Sequence, residues 1–489
     1  MNTFPSDVRS PSDHVLDNPW FQIVLVTLLA IVLIFSKLGG NGLANYDDCF
    51  YAEKAKEILK TGELMTMRYA GAPAYENPPF YMWLVALSYL LFGVTEYAAK
   101  FPSALFGVGT VVLLYFLVRR LFSPWVAFCS AVVLSTTFIF VRYARHAMLD
   151  VTLTFFVSLA MLALVLATRK NPRYFLLFGL SVGVCVLTKS VLGFFPLVIA
   201  VLFLGLTGRW RLLFNVYFLA GVAVAFLIGC SWYVHQTITY GDVFLRAHFG
   251  WVILQRGFTE DPGPWYEHLS YFRDLLTNYW PWLPVLCFGL WRYFTLAFRK
   301  DDTALLFVLW FSVIIVTMSV MNARVLWYIM PVFPAAAVMS GDVLASLLRN
   351  RGRLVFVSVV VGIGIFAALL INMTPLQVEP QRERDVRILA PYVRQCATEG
   401  ATIAAYRFTY HGLNSALQFY SDHAAARFYD NPADLRTAFK GAGLMVCIIR
   451  ASDHVEVFAN APGCFVIRSA EEYMLVANRP VDVSGVKTW

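Results

Sequence analysis

The sequence predicts an all-α polytopic membrane protein of about 11–13 transmembrane helices, followed by a small C-terminal α/β domain. Three observations lead there. Of 489 residues, 59% are hydrophobic and only 14% charged, with a mean hydropathy of +0.62, whereas soluble domains carry roughly 25% charged residues. Apolar runs close to the roughly 20 residues that cross a bilayer recur as far as residue 372. Beyond that point the chain turns polar and then breaks into short strand-like runs.

Residues 1–19 read as a cytoplasmic N-terminus and 20–372 as the transmembrane domain. Candidate spans lie near 20–37, 101–118, 122–141, 151–168, 174–188, 190–206, 213–233, 279–295, 304–320, 326–347 and 354–372. The first follows Asp13, Asp17 and Pro19 and precedes no small-residue cleavage site, so it reads as a retained helix and not a removed leader. The run 78–94 is shorter and aromatic-rich, and its placement decides the topology of everything after it. Laid on the membrane surface, it puts Arg119, Arg120, Arg169, Lys170, Arg173, Arg209, Arg211, Arg299, Lys300, Arg349, Arg351 and Arg353 on one side. That side is the cytoplasm by the positive-inside rule. The first outer loop, 38–100 with amphipathic surface helices, the outer loop 234–276 and the tail 373–489 then face outward.

Four of the eight cysteines, Cys129, Cys185, Cys230 and Cys287, lie in apolar runs. Cys396, Cys447 and Cys464 lie in the tail, where they leave room for one disulfide whose pairing the sequence does not give. The net charge of +8 follows from topology and gives no reason to expect a nucleic-acid partner. Phosphate-loop, HExxH and GxSxG motifs are missing, which leaves ATPase, zincin and α/β-hydrolase readings without support.

The outward face nevertheless carries cations at loops and span ends: Lys54, Lys56, Arg68, Arg142, Arg145, Lys189, Arg246, Arg256 and Arg324. Such placement opposes the topology signal, and a cluster of cations at the outer lip of a helical bundle suits an anionic lipid head group. Interfacial snorkelling is the alternative for each residue singly.

Acidic residues accompany them. "YDDCFYAEKAKEILKTGE" begins a helix with Asp47 and Asp48, whose apolar side carries Tyr51, Ala52, Ala55, Ile58 and Leu59 and whose Glu53 reads as a solvent-face charge. In "RYARHAMLD", Asp150 opens a span. It reads either as that helix's N-cap or as a second carboxylate opposite Asp47, suited to general-base chemistry beside cations that stabilise a leaving phosphate.

The order of these motifs resembles the membrane glycosyltransferases of family 39, the protein mannosyltransferase and lipid A aminoarabinose transferase-like group of the C-type superfamily. The residues that carry the resemblance run from "YDDCFYAEKAKEILKTGELMTMRYAGAPAYENPPFYMW" through "RYARHAMLDVTLTFF", "VLTKSVLGFFP", "SWYVHQTITYGDVFLRAHF" and "GPWYEHL" to "VLWYIMPVFPAAAV". Each motif alone is weak, and the ordered series is specific.

That resemblance implies an inverting glycosyltransferase of the bacterial inner membrane, moving a sugar from a polyprenyl-phosphate donor to a lipid, such as lipid A, or to protein. It implies Asp47 and Asp150 as catalytic carboxylates, and Asp48, Tyr51, Glu76 and Arg145 as residues that position the acceptor or its loop. Lys189, Arg256, Arg324 and the Tyr328 hydroxyl are candidates for the donor phosphate. Two departures from the family pattern stand out: Glu76, Asn77, Pro78 and Pro79 replace Glu-Lys-Pro-Pro, and Asp48 stands where Glu is usual. No metal is assigned, because Ile253 and Leu254 precede the Gln255-Arg256 pair where a zinc-binding His would lie, and His248 and His268 read as surface residues. No cofactor is assigned with certainty. A divalent metal finds no support in the His and Glu spacing.

In the tail, "ATIAAYRF", "ARFYD", "GLMVCIIR", "CFVIRSA" and "EYMLVAN" read as strands, with a helix over 430–440. The competing functional class is a flippase or transporter of lipid-linked glycans, which calls for repeated halves or broken helices at the midplane. A non-catalytic scaffold is the third reading, and it would tolerate loss of Asp47.

Overall fold

A computed structural model describes residues 18–43, 46–259, 264–348, 351–373, 381–407, 414–458 and 463–486. They form two compact units. The first comprises the described parts of Met1–Leu38, Tyr75–Tyr81 and Phe101–Thr374, and the second those of Gly39–Ala74, Met82–Lys100 and Pro375–Trp489.

The first unit is helical. Helices long and apolar enough to cross a membrane are Glu96–Arg119, Leu149–Arg169, Tyr174–Leu206, Val216–Tyr240, Asp302–Val320 and Leu326–Leu347, joined by the pair Pro124–Thr136 and Phe138–Ala144, bent by 64°. Glu96–Arg119 begins in the second unit and continues in the first. The apolar helices Pro19–Phe35, Phe80–Phe92, Leu283–Phe298 and Gly352–Ala367 are shorter. Among the described residues six or seven of the expected eleven to thirteen spans are of full length, and four further apolar helices are shorter. The shortfall is geometric, since a helix of 16 residues such as Leu283–Phe298 reaches only ~24 Å against a hydrocarbon core of ~30 Å.

The runs 174–188 and 190–206 are contiguous in sequence, and the chain turns between them. Ser190 has φ 54° and ψ −139°, and a Cβ on Gly193 would lie 2.2 Å from the Val186 nitrogen. Seven residues of straight helix would separate those positions by ~10 Å, so the chain folds back there. Glycine also sets a helix crossing: a Cβ on Gly179 would lie 1.9 Å from the Gly221 carbonyl oxygen, so only paired glycines let Tyr174–Lys189 and Val216–Gly229 approach so closely.

One end of this unit gathers helix starts capped by short polar side chains. Asn18, Ser123, Asn215 and Asp301 each accept from a backbone N–H two or three residues ahead. Basic loops sit at the same end: Arg169 donates to Thr303 at 3.0 Å, Arg209 pairs with Asp302 at 2.5 Å and Tyr115 donates to Gln22 at 3.0 Å. The other end holds the start of Leu149–Arg169, the end of Tyr174–Lys189 and the turn before Leu326.

The second unit carries a five-stranded sheet in the order Arg427–Tyr429, Thr402–Tyr406, Met445–Arg450, Tyr473–Ala477, Phe465–Ser469. The first three strands are parallel and the last two run antiparallel to their neighbours. All five strand-like runs of the tail form strands, and the helix expected over 430–440 spans Pro432–Phe439. Ala404, Tyr406, Leu435, Cys447, Ile449 and Val476 form its core. A helix the polar segment did not announce, Gln381–Thr398, is tied to the sheet by buried Asp385, which accepts from the Glu472 and Tyr473 amides at 2.5 and 2.9 Å.

The same unit includes the helix Tyr46–Thr61, which packs against Asn414–Ser421 of the tail. This corrects the expectation of a surface helix: Cys49 to Lys56 are buried on every side, and only Leu59 of its apolar set is exposed. All eight cysteines are free thiols, so the tail disulfide does not form.

Candidate active site

In the helical unit, the candidate site is built on Asp150. It lies in the first turn of Leu149–Arg169, where a carboxylate complements the helix dipole. The N-cap position is Met148, and no side chain caps this end, so the capping role is not the one Asp150 plays. Its Oδ1 accepts from Nζ of Lys189, the last residue of Tyr174–Lys189. The carboxylate is fully buried, and its Oδ2 has no hydrogen-bond partner among the described residues. The Lys189 ammonium also sits 3.9 Å from the ring centroid of Tyr328, a cation–π contact that strengthens as water is withdrawn. Tyr328 therefore meets Lys189 with its ring face, where the sequence suggested only its hydroxyl.

The residue after Lys189 anchors a second set. Ser190 Oγ lies 3.0 Å from Nε2 of His248 and accepts from the Tyr233 hydroxyl at 2.7 Å. Nδ1 of His248 lies 2.6 Å from the carbonyl oxygen of Tyr75. A carbonyl only accepts, so Nδ1 carries the proton and Nε2 accepts from Ser190. His248 is fully buried, stacked on Phe244 at 5.4 Å and edge-on to Trp232. Burial holds its pKa below the ordinary 6.5, partly offset by the Tyr75 carbonyl and the Glu76 charge. His248 thus joins three segments, including the extended stretch that carries Glu76. The surface reading is corrected, and the signal that could have found it was the aromatic density of "SWYVHQTITYGDVFLRAHF".

His268 is likewise no free surface imidazole. Its Nδ1 meets the Ser319 carbonyl oxygen at 2.6 Å, and Arg324 Nη2 lies 3.2 Å from its Nε2. Four residues beyond Arg324 comes Tyr328, and between them the Tyr271 hydroxyl grips Val325, donating to its carbonyl at 3.2 Å and accepting from its N–H at 3.1 Å. Arg324 and Tyr328 thus share one pinned turn. The side chain of Arg256 lies outside the described residues.

Several of the outward cations have partners of their own among the described residues. Arg145 is buried, and its guanidinium donates to the carbonyls of Leu33, Ile34 and Ser36 at 3.1, 2.9 and 2.8 Å, closing the C-terminal end of Pro19–Phe35. It positions that helix exit. Arg68 pairs with Glu63 at 2.9 Å, and Arg246, largely exposed, faces Asp242 at 3.7 Å.

The second unit holds the first-loop carboxylates. Asp47 is half-buried and Asp48 fully buried in the first turn of Tyr46–Thr61. Tyr51 is buried against Phe50, and the Lys54 ammonium sits 3.8 Å from the Phe50 ring centroid. Glu53 is fully buried, not on a solvent face: its carboxylate lies 3.6 Å from Lys56 and 3.8 Å from Lys60. Burial raises its pKa, against the pull of the two lysines. Lys56 also meets Asp422 at 2.6 Å, and Arg394 meets the same carboxylate at 2.7 Å. Among the described residues no three His, Cys, Asp or Glu side chains gather as a metal site.

Comparison with known proteins agrees with this architecture. Residues 76–235 match the family described as dolichyl-phosphate-mannose-protein mannosyltransferase. The chain is 33% identical over 328 residues to an uncharacterized protein of Aquifex aeolicus, covering 66% of this chain and 64% of that one. It is 27% identical over 376 residues to undecaprenyl phosphate-alpha-4-amino-4-deoxy-L-arabinose arabinosyl transferase of Edwardsiella ictaluri, covering 73% and 65%. The chain thus matches somewhat under two thirds of each relative's length. The fold is similar to that of ArnT from Cupriavidus metallidurans bound to undecaprenyl phosphate, with TM-score 0.75 and 19% identity over 95% of this chain and 98% of that one. It is also similar, with TM-score 0.58 and 12% identity, to the oligosaccharyltransferase of Archaeoglobus fulgidus, over 90% and 70%.

Proposed function

We propose that this chain, a multi-pass membrane protein with the fold of the C-type glycosyltransferases, moves a sugar from a polyprenyl-phosphate donor to a lipid or protein acceptor. The observation that carries the reading is Lys189: a withdrawn ammonium, fixed by the Asp150 carboxylate and the Tyr328 ring, at the end of the bundle opposite the basic loops. A phosphate head group is the natural anionic partner for such a cation. The matching family and the arabinosyl transferase relatives point to the same donor class.

Chemically, an acceptor oxygen attacks the anomeric carbon, the bond from that carbon to the phosphate oxygen breaks, and the electron pair leaves with the polyprenyl phosphate. The sugar arrives activated, so no nucleotide is consumed. Lys189, Arg324 and Arg256 stabilise the charge that grows on the departing phosphate. Asp150 keeps Lys189 in place. Where the acceptor is a hydroxyl, Asp47 takes its proton, a role that rests on the first-loop motif. Attack opposite the phosphate inverts the anomeric centre.

The basic end, with Arg169, Arg173 and Arg209, belongs in the cytoplasm by the positive-inside rule, and the Asp150–Lys189 end then faces outward from the bacterial inner membrane. The test is reconstitution in liposomes with a polyprenyl-phosphate sugar and lipid A, read by mass spectrometry. Transfer by the wild type and its loss in Lys189→Met supports the reading. Donor that crosses the bilayer with its sugar–phosphate bond intact would replace it with the flippase.

A further inference from the structure

The tail domain is joined to the first loop by more than surface packing. Within the second unit, the helix Asn414–Ser421 packs against the helix Tyr46–Thr61 and also bonds to Leu43 and Tyr69. The Leu43 amide donates to the Tyr420 hydroxyl at 2.9 Å, a buried bond between residues 377 apart. Lys56 donates to the Phe419 carbonyl at 2.7 Å, and Gln418 reaches Glu53 at 3.5 Å. Tyr69 and Ser415 share a hydrogen bond of 3.0 Å. From the other side, fully buried Lys100 donates to the carbonyls of Asn41 and Gly42 at 2.8 and 2.9 Å.

The backbone of 41–43 is therefore held by two side chains distant in sequence, four residues before Asp47. Buried backbone groups must be paired. Here Lys100 satisfies the Asn41 and Gly42 carbonyls, Cys49 Sγ reaches the Leu43 carbonyl at 3.8 Å, and Tyr420 accepts from the Leu43 N–H.

We propose that Tyr420 is a positioning residue for the segment that leads to Asp47, so that the tail is tied to the first loop through a single buried hydroxyl and is not an appended module. The proposal rests on the transferase reading for its kinetic consequence and on the Leu43–Tyr420 bond for its structural one. Removing the hydroxyl leaves a buried N–H without its acceptor, and the loop relaxes toward conformations in which Asp47 meets the acceptor less often.

The experiment compares the wild type, Tyr420→Phe and a control, Arg407→Gln, which breaks exposed tail ion pairs with Asp453 and Glu456. Each is assayed in liposomes for turnover and for the KM of the lipid donor, and each is examined by amide hydrogen exchange and thermal unfolding. For Tyr420→Phe we expect kcat to fall about tenfold with donor KM within about twofold, the size expected for one lost buried hydrogen bond. Amides of 46–53 should exchange faster, and the unfolding midpoint should stay close to that of Arg407→Gln.

Wild-type kcat in Tyr420→Phe, or a fall in kcat matched by a rise in donor KM and a collapse of the unfolding midpoint, overturns the proposal. If the wild type transfers no sugar, the transferase reading fails, and the exchange arm still decides the tether: unchanged exchange over 46–53 sinks it.

Discussion

The ammonium of Lys189 donates to the carboxylate of Asp150, and both side chains are withdrawn from solvent, at 10% and 0% exposure. Each carries the charge that makes burying the other tolerable. Removing one partner strands the other, whereas replacing both with apolar groups strands nothing.

Lys189→Met or Asp150→Asn alone should destabilise the protein by about 3–5 kcal/mol. The double variant Asp150→Leu/Lys189→Met should recover most of that loss while remaining inactive. Thermal unfolding in detergent, set beside transfer activity, checks both halves. A double variant less stable than either single would show that the pair is not isolated.

Ser190 is held at φ 54°, in a region that favours glycine, while its hydroxyl serves His248 and Tyr233. Ser190→Gly relieves the backbone and loses the hydroxyl, whereas Ser190→Ala loses the hydroxyl and keeps the strain. Strained non-glycine positions cost about 1–3 kcal/mol, so the glycine variant should be the more stable of the two. Their relative unfolding midpoints decide it.

Because burial holds the folded-state pKa of His248 below 6.5, the imidazole stays neutral in the folded chain while the unfolded chain takes up a proton as pH falls past that value. The contribution of His248 to stability is therefore intact above pH 6.5 and declines below it. Unfolding midpoints measured from pH 7.5 down to pH 5 should fall in the wild type, with a shallower slope in His248→Gln. Equal slopes would remove His248 as the cause.

Arg145→Met should open the exit of Pro19–Phe35. Three carbonyls lose a charged donor, and each such bond contributes about 1.5–3 kcal/mol. Arg145→Lys reaches fewer of them and should recover only part of the loss. Faster exchange at the last turn of that helix, without change at residues 302–320, is the expected pattern.

Much of this was legible in the sequence because its physics is local. Apolar runs announce helices, and five short strand-like runs in the tail became five strands. The acidic start at Asp47 and Asp48, and the place of Lys189 at the end of its span, also follow from local order. What escaped is long-range. Glu53 sits on a helix whose pattern allows a solvent face, and tail residues such as Gln418, 365 residues away, and Phe419 cover it. His248 looks like a loop imidazole until Tyr75, Trp232 and Phe244 close around it. Arg145 counted as one more outward cation, since nothing near it in sequence reveals that the carbonyls of Leu33 to Ser36 claim its guanidinium. The fold-back at Ser190 was visible only as the shortness of two adjacent runs.

The bond between Leu43 and Tyr420 also sets a clock for biogenesis. A ribosome adding about 5–20 residues per second needs on the order of 20–75 s to cover the 377 residues between them. Throughout that interval the nascent segment carrying Asp47 lacks the hydroxyl that later holds it. Apolar helices between the two can enter the membrane first, and the tether forms only after residue 420 has been made.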